Sequence, residues 1–281
     1  MNTDIDVVVQ AGRHPTAEFM TVRLLFAQQE QRFSRFIASS LVSRLNRGER
    51  IDDPWLARLT RLVLEAHEAT AGLFNPMVLP ALTDAGYGSS FETVSGGTPR
   101  PQPVPDPRAA IGIDGEATWL KRGQLDAGGI VKGWTVDLAL EHLVGPGVGG
   151  VLVNAGGDMR AEGAGDAPGG WLAAIENPLE DGALAWHGTL QAALATSTTL
   201  KRRWTSSSGA GAHHLIDPRT GLPADSPFVQ VSCRAPEART AEIWAKAVLI
   251  GAEFARGAAR EVGVDVLTLR RDGHLAGFAA P

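Results

Sequence analysis

Two adjacent imidazoles, an acid, an arginine and a threonine fall within nine residues, HHLIDPRTG, His213 to Gly221. Histidine is the side chain that most readily trades a proton near neutrality, so one held on stiff backbone is a candidate general base. The stiffness is local. Pro218 fixes its own φ and keeps Asp217 out of the helical region, and Gly221 permits the positive φ that closes a turn. Leu215 and Ile216 are expected to end a strand. His214 would then stand at a strand end, beside an Asp217 carboxylate able to orient it or raise its basicity. A buried histidine in an ordinary Asp-Pro-x-Thr-Gly loop is the plainer alternative.

Glycine-bearing stretches supply a second kind of chemistry. In LDAGGIVKGWTVD (125–137), Asp126 and the run Ala127, Gly128, Gly129 stand at the entrance to an expected helix. Free backbone N–H groups at such a junction can approach a phosphate, and the helix N-terminus favours its charge. The spacing is neither a GxGxxG fingerprint nor a Gly-Lys-Ser/Thr loop. GLFNP (72–76), VNAGGDMR (153–160) and ATSTTLKRR (195–203) add a Pro-bounded turn, a glycine turn between strands and a group of hydroxyls.

These residues need elements to position them. Valine-rich alternation from Asp4 to Gln10 reads as an opening strand. Apolar residues at helical spacing run from Ala17 to Leu45, broken by an irregular SRFIASS segment. A helix is expected from Pro54 to Ala71, with Asp53 as N-cap and Gly72 as its stop; His67 lies within it as a surface or satisfied core residue. Further helices are expected over 129–143 and 240–259. Strands are expected on either side of the 155–157 glycine turn, as a pair at 171–176 and 185–194, and as a C-terminal hairpin with Asp-Gly at its tip. Runs of strands with segregated helices, without strict βαβ alternation, indicate an α+β fold with mixed sheets. The chain reads as a single domain over residues 1–281, with the Pro/Gly/Ser-rich stretch 89–110 as a linker candidate or surface excursion.

Composition excludes several classes. Of 281 residues, 44% are hydrophobic and 20% charged, as in a folded globular protein, and the net charge of −5 offers no footprint for nucleic acid. The lone cysteine, Cys233, rules out an intrachain disulfide or a cysteine-cluster zinc site; its place in FVQVSCRA suggests a buried thiol. No stretch is apolar for long enough to span a bilayer, and the opening residues lack a positive n-region, so a cytoplasmic location is expected.

In order and spacing, these stretches resemble the FAD:protein FMN transferase (ApbE) family along nearly the whole chain. MNTDIDVVV is similar to the family's Met-Gly-Thr opening strand, with Asn2 for glycine. SRFIASSLVSRLNRG resembles its serine-rich segment ending in Leu-Asn, and GLFNPMVLPALTDAGYG its G-x-F-D-P…G-Y-G stretch, with Asn75 for aspartate. LDAGGIVKGWTVD, VNAGGDMRAEG and HHLIDPRTGLPA match closely. The resemblance implies a protein that binds FAD, splits its diphosphate with help from a divalent cation such as Mg²⁺, and attaches FMN to a threonine of an acceptor protein. It implies an FAD site lined by Met1, Phe36, Leu73, Phe74, Asn75, Asp126, Gly128, Gly129, Lys132 and Ile216, with His214 activating the acceptor hydroxyl.

The implied metal set departs from the family's. Carbonyl oxygen near Gly129 would serve, with an Asp and a Thr one turn apart on a late helix. Here Glu242 and Lys246 hold those positions. An ammonium is no ligand for Mg²⁺, which takes oxygen donors. Glu242 and Lys246 at i, i+4 would instead pair. Lys246 then either stands in for the cation against the diphosphate or belongs to a surface salt bridge. The alternative functions are an FAD-binding or sequestering protein without transfer, and an FAD pyrophosphatase.

Overall fold

A computed structural model of the chain describes residues 3–12, 15–89, 94, 96–207 and 209–278. Met1 lies outside them. The strand β1 (Ile5–Ala11) opens the fold, followed by helices α1 (Thr16–Phe33) and α2 (Leu41–Asn46), a short β2 (Ile51–Asp52), α3 (Pro54–Ala69) and α4 (Leu79–Asp84). After α5 (Pro107–Ala110) come β3 (Ile111–Asp114), β4 (Ala117–Leu120) and α6 (Val131–Leu143). The strands β5 (Val148–Ala155), β6 (Asp158–Gly163), β7 (Trp171–Glu176), β8 (Leu184–Leu190) and β9 (Ala193–Thr198) succeed them. Short pieces β10 (Arg203–Thr205), β11 (Gly211–His213), β12 (Ile216–Asp217) and β13 (Leu222–Pro223) lead to β14 (Phe228–Ala235). The chain closes with α7 (Ala238–Glu261), β15 (Asp265–Arg270) and β16 (Leu275–Gly277).

One antiparallel sheet of seven strands, ordered β1-β5-β6-β9-β14-β15-β16, forms the centre. Its two faces are covered differently, and the alternation of β14 shows how. Val231, Cys233 and Ala235 turn toward a core shared with Val136, Leu140, Trp244 and Val248 of α6 and α7. On the opposite face the β7–β8 ribbon lies over the sheet, packing Trp171, Ile175 and Leu190 against Leu194 and Leu267, and the Gln230 amide donates to the Glu176 carbonyl at 2.8 Å. A second core lies between α3, the 72–78 turn and the start of α6, with Trp134 at its middle. The fold is α+β, as expected.

Local signals account for most boundaries. The Asp53 carboxylate accepts from the N–H groups of Trp55 and Leu56 at 2.9 and 3.0 Å, and Gly72 has φ +84 just past the helix it terminates. α1 ends at Phe33, and Ser40 caps the separate α2 by accepting from Ser43 N–H at 3.0 Å. Two expectations are corrected. The segment 185–194 is not one strand: β8 ends at Leu190, and from Ala193 the chain enters the central sheet as β9, the residues between them making the crossing. Leu215 and Ile216 do not end a strand either. β11 stops at His213, and Ile216 opens the separate β12–β13 ladder that the 218–221 turn closes.

Residues 96–110 run over α4 and the 217–221 turn. Gln102 N–H donates to the Thr220 carbonyl at 3.1 Å and its side-chain amide to Asp84 at 3.0 Å. The helix α7 is kinked at Ala252, whose φ of 50 lies on the side that favours glycine. At the kink the Ile250 carbonyl accepts from the Arg219 guanidinium at 3.2 Å.

Candidate functional site

The Asp126–Gly129 turn is held from three directions. The side chain of Asn46, at the end of α2, donates to the Leu125 carbonyl at 2.8 Å and accepts from the Leu125 N–H at 2.7 Å. It thereby serves as a ladder partner for backbone that no strand flanks. Asp126 N–H donates to the Pro76 carbonyl at 2.8 Å. The Asp126 carboxylate closes the turn by accepting from Gly128 N–H at 2.8 Å, and its other oxygen pairs with Arg35 Nε at 3.2 Å.

Arg35 is the functional-region residue that the sequence reading passed over. Its guanidinium lies 4.2 Å from the ring centre of Phe36 and 4.7 Å from that of Tyr87, and it donates to the Tyr87 carbonyl at 2.7 Å. Tyr87 in turn packs on Trp204, with centroids 5.8 Å apart. Phe36 is 48% exposed, so one face of this aromatic row is open to a planar ligand. The only trace of Arg35 in the sequence is its place beside Phe36.

A second group gathers at the entrance of α6. Glu242, reaching across from α7, accepts from Gly133 N–H at 2.9 Å, placing an anion at a helix N-terminus. Its other oxygen accepts from Lys246 Nζ at 3.0 Å, and the same ammonium lies 3.3 Å from the Glu242 carbonyl. Gly133 is required there: a Cβ would stand 2.7 Å from the Ala238 carbonyl. Gly129 is less constrained but lies close to the same group: a Cβ there would stand 3.2 Å from the Phe74 ring and 3.4 Å from the Lys246 stalk. Lys132 pairs with Asp158 and donates to the Ala155 carbonyl at 3.1 Å, joining the two glycine turns. Asp158 stands in the VNAGGDMR stretch, yet nothing in its local sequence singles it out.

The electrostatics of this group are mutual. Burial pushes the Glu242 carboxyl up, but Lys246, Lys132 and the Gly133 N–H outweigh it and hold it below its ordinary value. For Asp158 burial prevails, reinforced by Glu242, and its carboxyl stands above the usual range despite Lys132. The surface-salt-bridge alternative for Glu242 and Lys246 is overturned, because their side chains are only 2% and 17% exposed.

His214 is half-buried and lies within the field of Lys246. Burial, then the charges of Arg202, Lys246 and His213, push its imidazole pKa down to about 3. Its Nδ1 lies 3.4 Å from the Arg202 carbonyl, which can only accept, so Nδ1 carries the proton and Nε2 keeps a free lone pair. The expectation that Asp217 orients or activates His214 is corrected. That carboxylate is forked on Arg219, at 2.7 and 2.9 Å, so it ties the turn to the α7 kink instead. His213 is fastened to backbone, with Nε2 3.1 Å from the Ala224 carbonyl and Nδ1 accepting from Leu215 N–H at 3.3 Å.

The expected site residues therefore separate. Phe74, Gly129, Lys132, Glu242 and Lys246 share the α6 entrance, and Phe36, Asp126 and Gly128 are joined through Arg35. Asn75 is occupied locally: it caps the turn by accepting from Met77 N–H at 2.9 Å and donates to the Pro105 carbonyl at 3.1 Å. Leu73 packs into the core against Gly251, and Ile216 lies beneath Tyr87 among α4 residues. His67 is a satisfied core residue whose Nδ1 lies 3.0 Å from the Phe74 carbonyl. Burial pushes the Cys233 thiol up, in keeping with a buried thiol.

The arrangement does not suit a divalent metal. Both Glu242 oxygens are engaged, the neighbouring position offers an ammonium, and among the described residues no three His, Cys, Asp or Glu side chains converge. Nor is any described helix long and apolar enough to cross a membrane.

A seven-stranded antiparallel sheet backed by two helices, with two glycine turns joined through Lys132, is a fold with close counterparts. The crystal structure of the ApbE protein from Thermotoga maritima superposes with a TM-score of 0.87 at 22% identity, covering 98% of this chain and 93% of that one. That of the flavinyl transferase ApbE from Pseudomonas stutzeri gives 0.80 at 20% identity, covering 99% and 95%. The ApbE family model matches residues 1–268, and the chain belongs to that family. Among curated relatives, the FAD:protein FMN transferase of Haemophilus influenzae is 26% identical over 75% of this chain and 66% of its own length. That of Escherichia coli K12 is 23% identical over 87% and 74%. The chain spans less than two thirds of the Haemophilus influenzae relative, at 66%, and 41% of the FAD:protein FMN transferase of Klebsiella pneumoniae.

Proposed function

We propose that this protein is an FAD:protein FMN transferase: it binds FAD and attaches the FMN half, through a phosphoester, to a threonine of an acceptor protein. The observation that carries this reading is a pair of ammonium groups, Lys132 and Lys246, at the α6 entrance, with a neutral imidazole, His214, within the field of Lys246. A threonine hydroxyl attacking phosphorus needs a base, and the diphosphate it attacks needs cations. In this scheme the hydroxyl proton passes to His214 Nε2 as Oγ bonds to the FMN-side phosphorus. The bond from that phosphorus to the bridging oxygen breaks, and AMP departs with that oxygen. His214 is a weak base in the ligand-free protein; a diphosphate beside it adds negative charge that raises its proton affinity. Lys132 and the first turn of α6 face the non-bridging oxygens, while the open side of Phe36 offers stacking for a ring of the dinucleotide. The named activity of the Haemophilus influenzae and Escherichia coli relatives agrees with this scheme.

The test is to incubate the protein with FAD and a threonine-bearing flavin-acceptor domain, then follow acceptor mass and AMP release. Transfer should add FMN to the acceptor and release AMP, and His214→Ala should abolish both while FAD still binds. FAD bound without AMP release would indicate a flavin-holding protein. AMP with free FMN, and no acceptor adduct, would indicate a pyrophosphatase.

A further inference from the structure

The buried Glu242–Lys246 pair is costly and unexplained by packing alone. Two charges withdrawn from water are retained only where their geometry is good, and an apolar pair would fill the same space at no loss of stability. The geometry here is specific. The Lys246 stalk runs past the Gly129 backbone, 3.4 Å from where a Cβ would stand, and its ammonium pairs with the carboxylate that holds the Gly133 N–H, so it sits at the mouth of the α6 N-terminus. Glu242 is itself fixed by the Gly133 N–H, so the ammonium has one defined resting place.

We propose that Lys246 is the site's own cation: its ammonium contacts the diphosphate of FAD, and the protein binds and cleaves FAD without Mg²⁺. This rests on the flavin reading given above. The charge count has a consequence. Glu242 with Lys246 sums to zero, where a carboxylate with a divalent cation would sum to +1. The ammonium must therefore share itself between Glu242 and the incoming phosphate oxygens, which its three donors allow. A divalent ion is disfavoured beside it, since it would meet a like charge and a carboxylate already engaged on both oxygens. The transfer step keeps its balance: the phosphorus–bridging-oxygen bond breaks, the Oγ–phosphorus bond forms, and Lys246 remains protonated throughout.

The test is a fluorescence titration of the unmodified protein with FAD, in excess chelator and again in millimolar Mg²⁺ at matched ionic strength. Equal affinities, within about twofold, are expected. Binding that strengthens roughly tenfold or more with Mg²⁺ overturns the proposal and leaves the flavin reading standing. No binding under either condition removes both. The second arm uses the double variant Glu242→Gln, Lys246→Met, which discharges the pair without stranding a buried carboxylate. Once native-like circular dichroism is established, its FAD dissociation constant in chelator should rise by roughly tenfold or more, the loss of one charge-assisted contact. An unchanged constant overturns the proposal.

Discussion

Asn46→Asp changes little in shape and should nonetheless destabilise the protein well beyond an ordinary surface substitution. The native amide makes a two-way connection with Leu125 across 79 positions, donating at 2.8 Å and accepting at 2.7 Å. An ionised aspartate still accepts from the Leu125 N–H but turns a negative oxygen on the Leu125 carbonyl. Leu125 is 1% exposed, and a buried group left without its partner costs about 1–3 kcal/mol. A cavity of about 230 Å³ bordered by Arg35, Asn46 and Gln124 admits water to part of this region, so the carbonyl penalty falls in the lower half of that range. Repulsion between the two oxygens adds to it, for a total of about 2–3 kcal/mol. At about 2 °C per kcal/mol for a chain of this size, the melting temperature should drop by roughly 4–6 °C. The sign with pH is distinctive. Only the protonated acid can donate to the carbonyl, so folding raises the pKa of the introduced carboxyl above its unfolded value. The variant then binds protons more readily when folded, and part of the loss should be recovered as the pH falls from about 7 toward about 4.5. Urea unfolding followed by tryptophan fluorescence at the two pH values measures both effects, with the parent as reference. An Asn46→Asp protein as stable as the parent at neutral pH, or one whose deficit does not shrink on acidification, would refute the reasoning.

Asp126→Ala should weaken FAD binding by releasing both the Gly128 N–H and Arg35, and flavin titration would show it; full affinity would mean that the turn holds without its carboxylate. Gly133→Ala should destabilise the fold by about 1–3 kcal/mol in urea unfolding, because the new methyl meets the backbone of Ala238 rather than a side chain that can yield. His214 has its folded pKa pushed down to about 3, below the unfolded value, so the unfolded state takes up a proton first as pH falls. The parent should therefore lose stability relative to His214→Asn between about pH 6.5 and about pH 4, and parallel curves over that window would contradict the assignment. Glu242→Asp with Lys246→Thr supplies two oxygen donors one turn apart, and FAD affinity should become responsive to Mg²⁺. A variant that stays unresponsive would mean the divergence extends beyond these two positions.

Much of this protein is legible in one dimension, for reasons that can be named. Asp53 before Pro54, Gly72 after a helical run and Asp-Pro-x-Thr-Gly after His214 each specify backbone through residue types that few other residues can replace, so the caps and turns are written locally. The alternation of FVQVSCRA and the valine-rich run that leads into the Gly156-Gly157 pair likewise announce strands, and the ordered set of motifs carries the family resemblance. Tertiary structure alone decided the rest. A Glu and a Lys four residues apart read the same on a wet helix face as in a core, and only the packing of α6 over α7 excluded water and made the pair costly. Asp217 stands beside His214 in sequence, yet Arg219 claims it, because a planar guanidinium fits both carboxylate oxygens. Arg35 finds Asp126, and Asn46 finds Leu125, across separations that no local pattern encodes. Those partnerships depend on where whole elements dock, and docking is set by apolar burial summed over the chain, not by the residues that happen to meet.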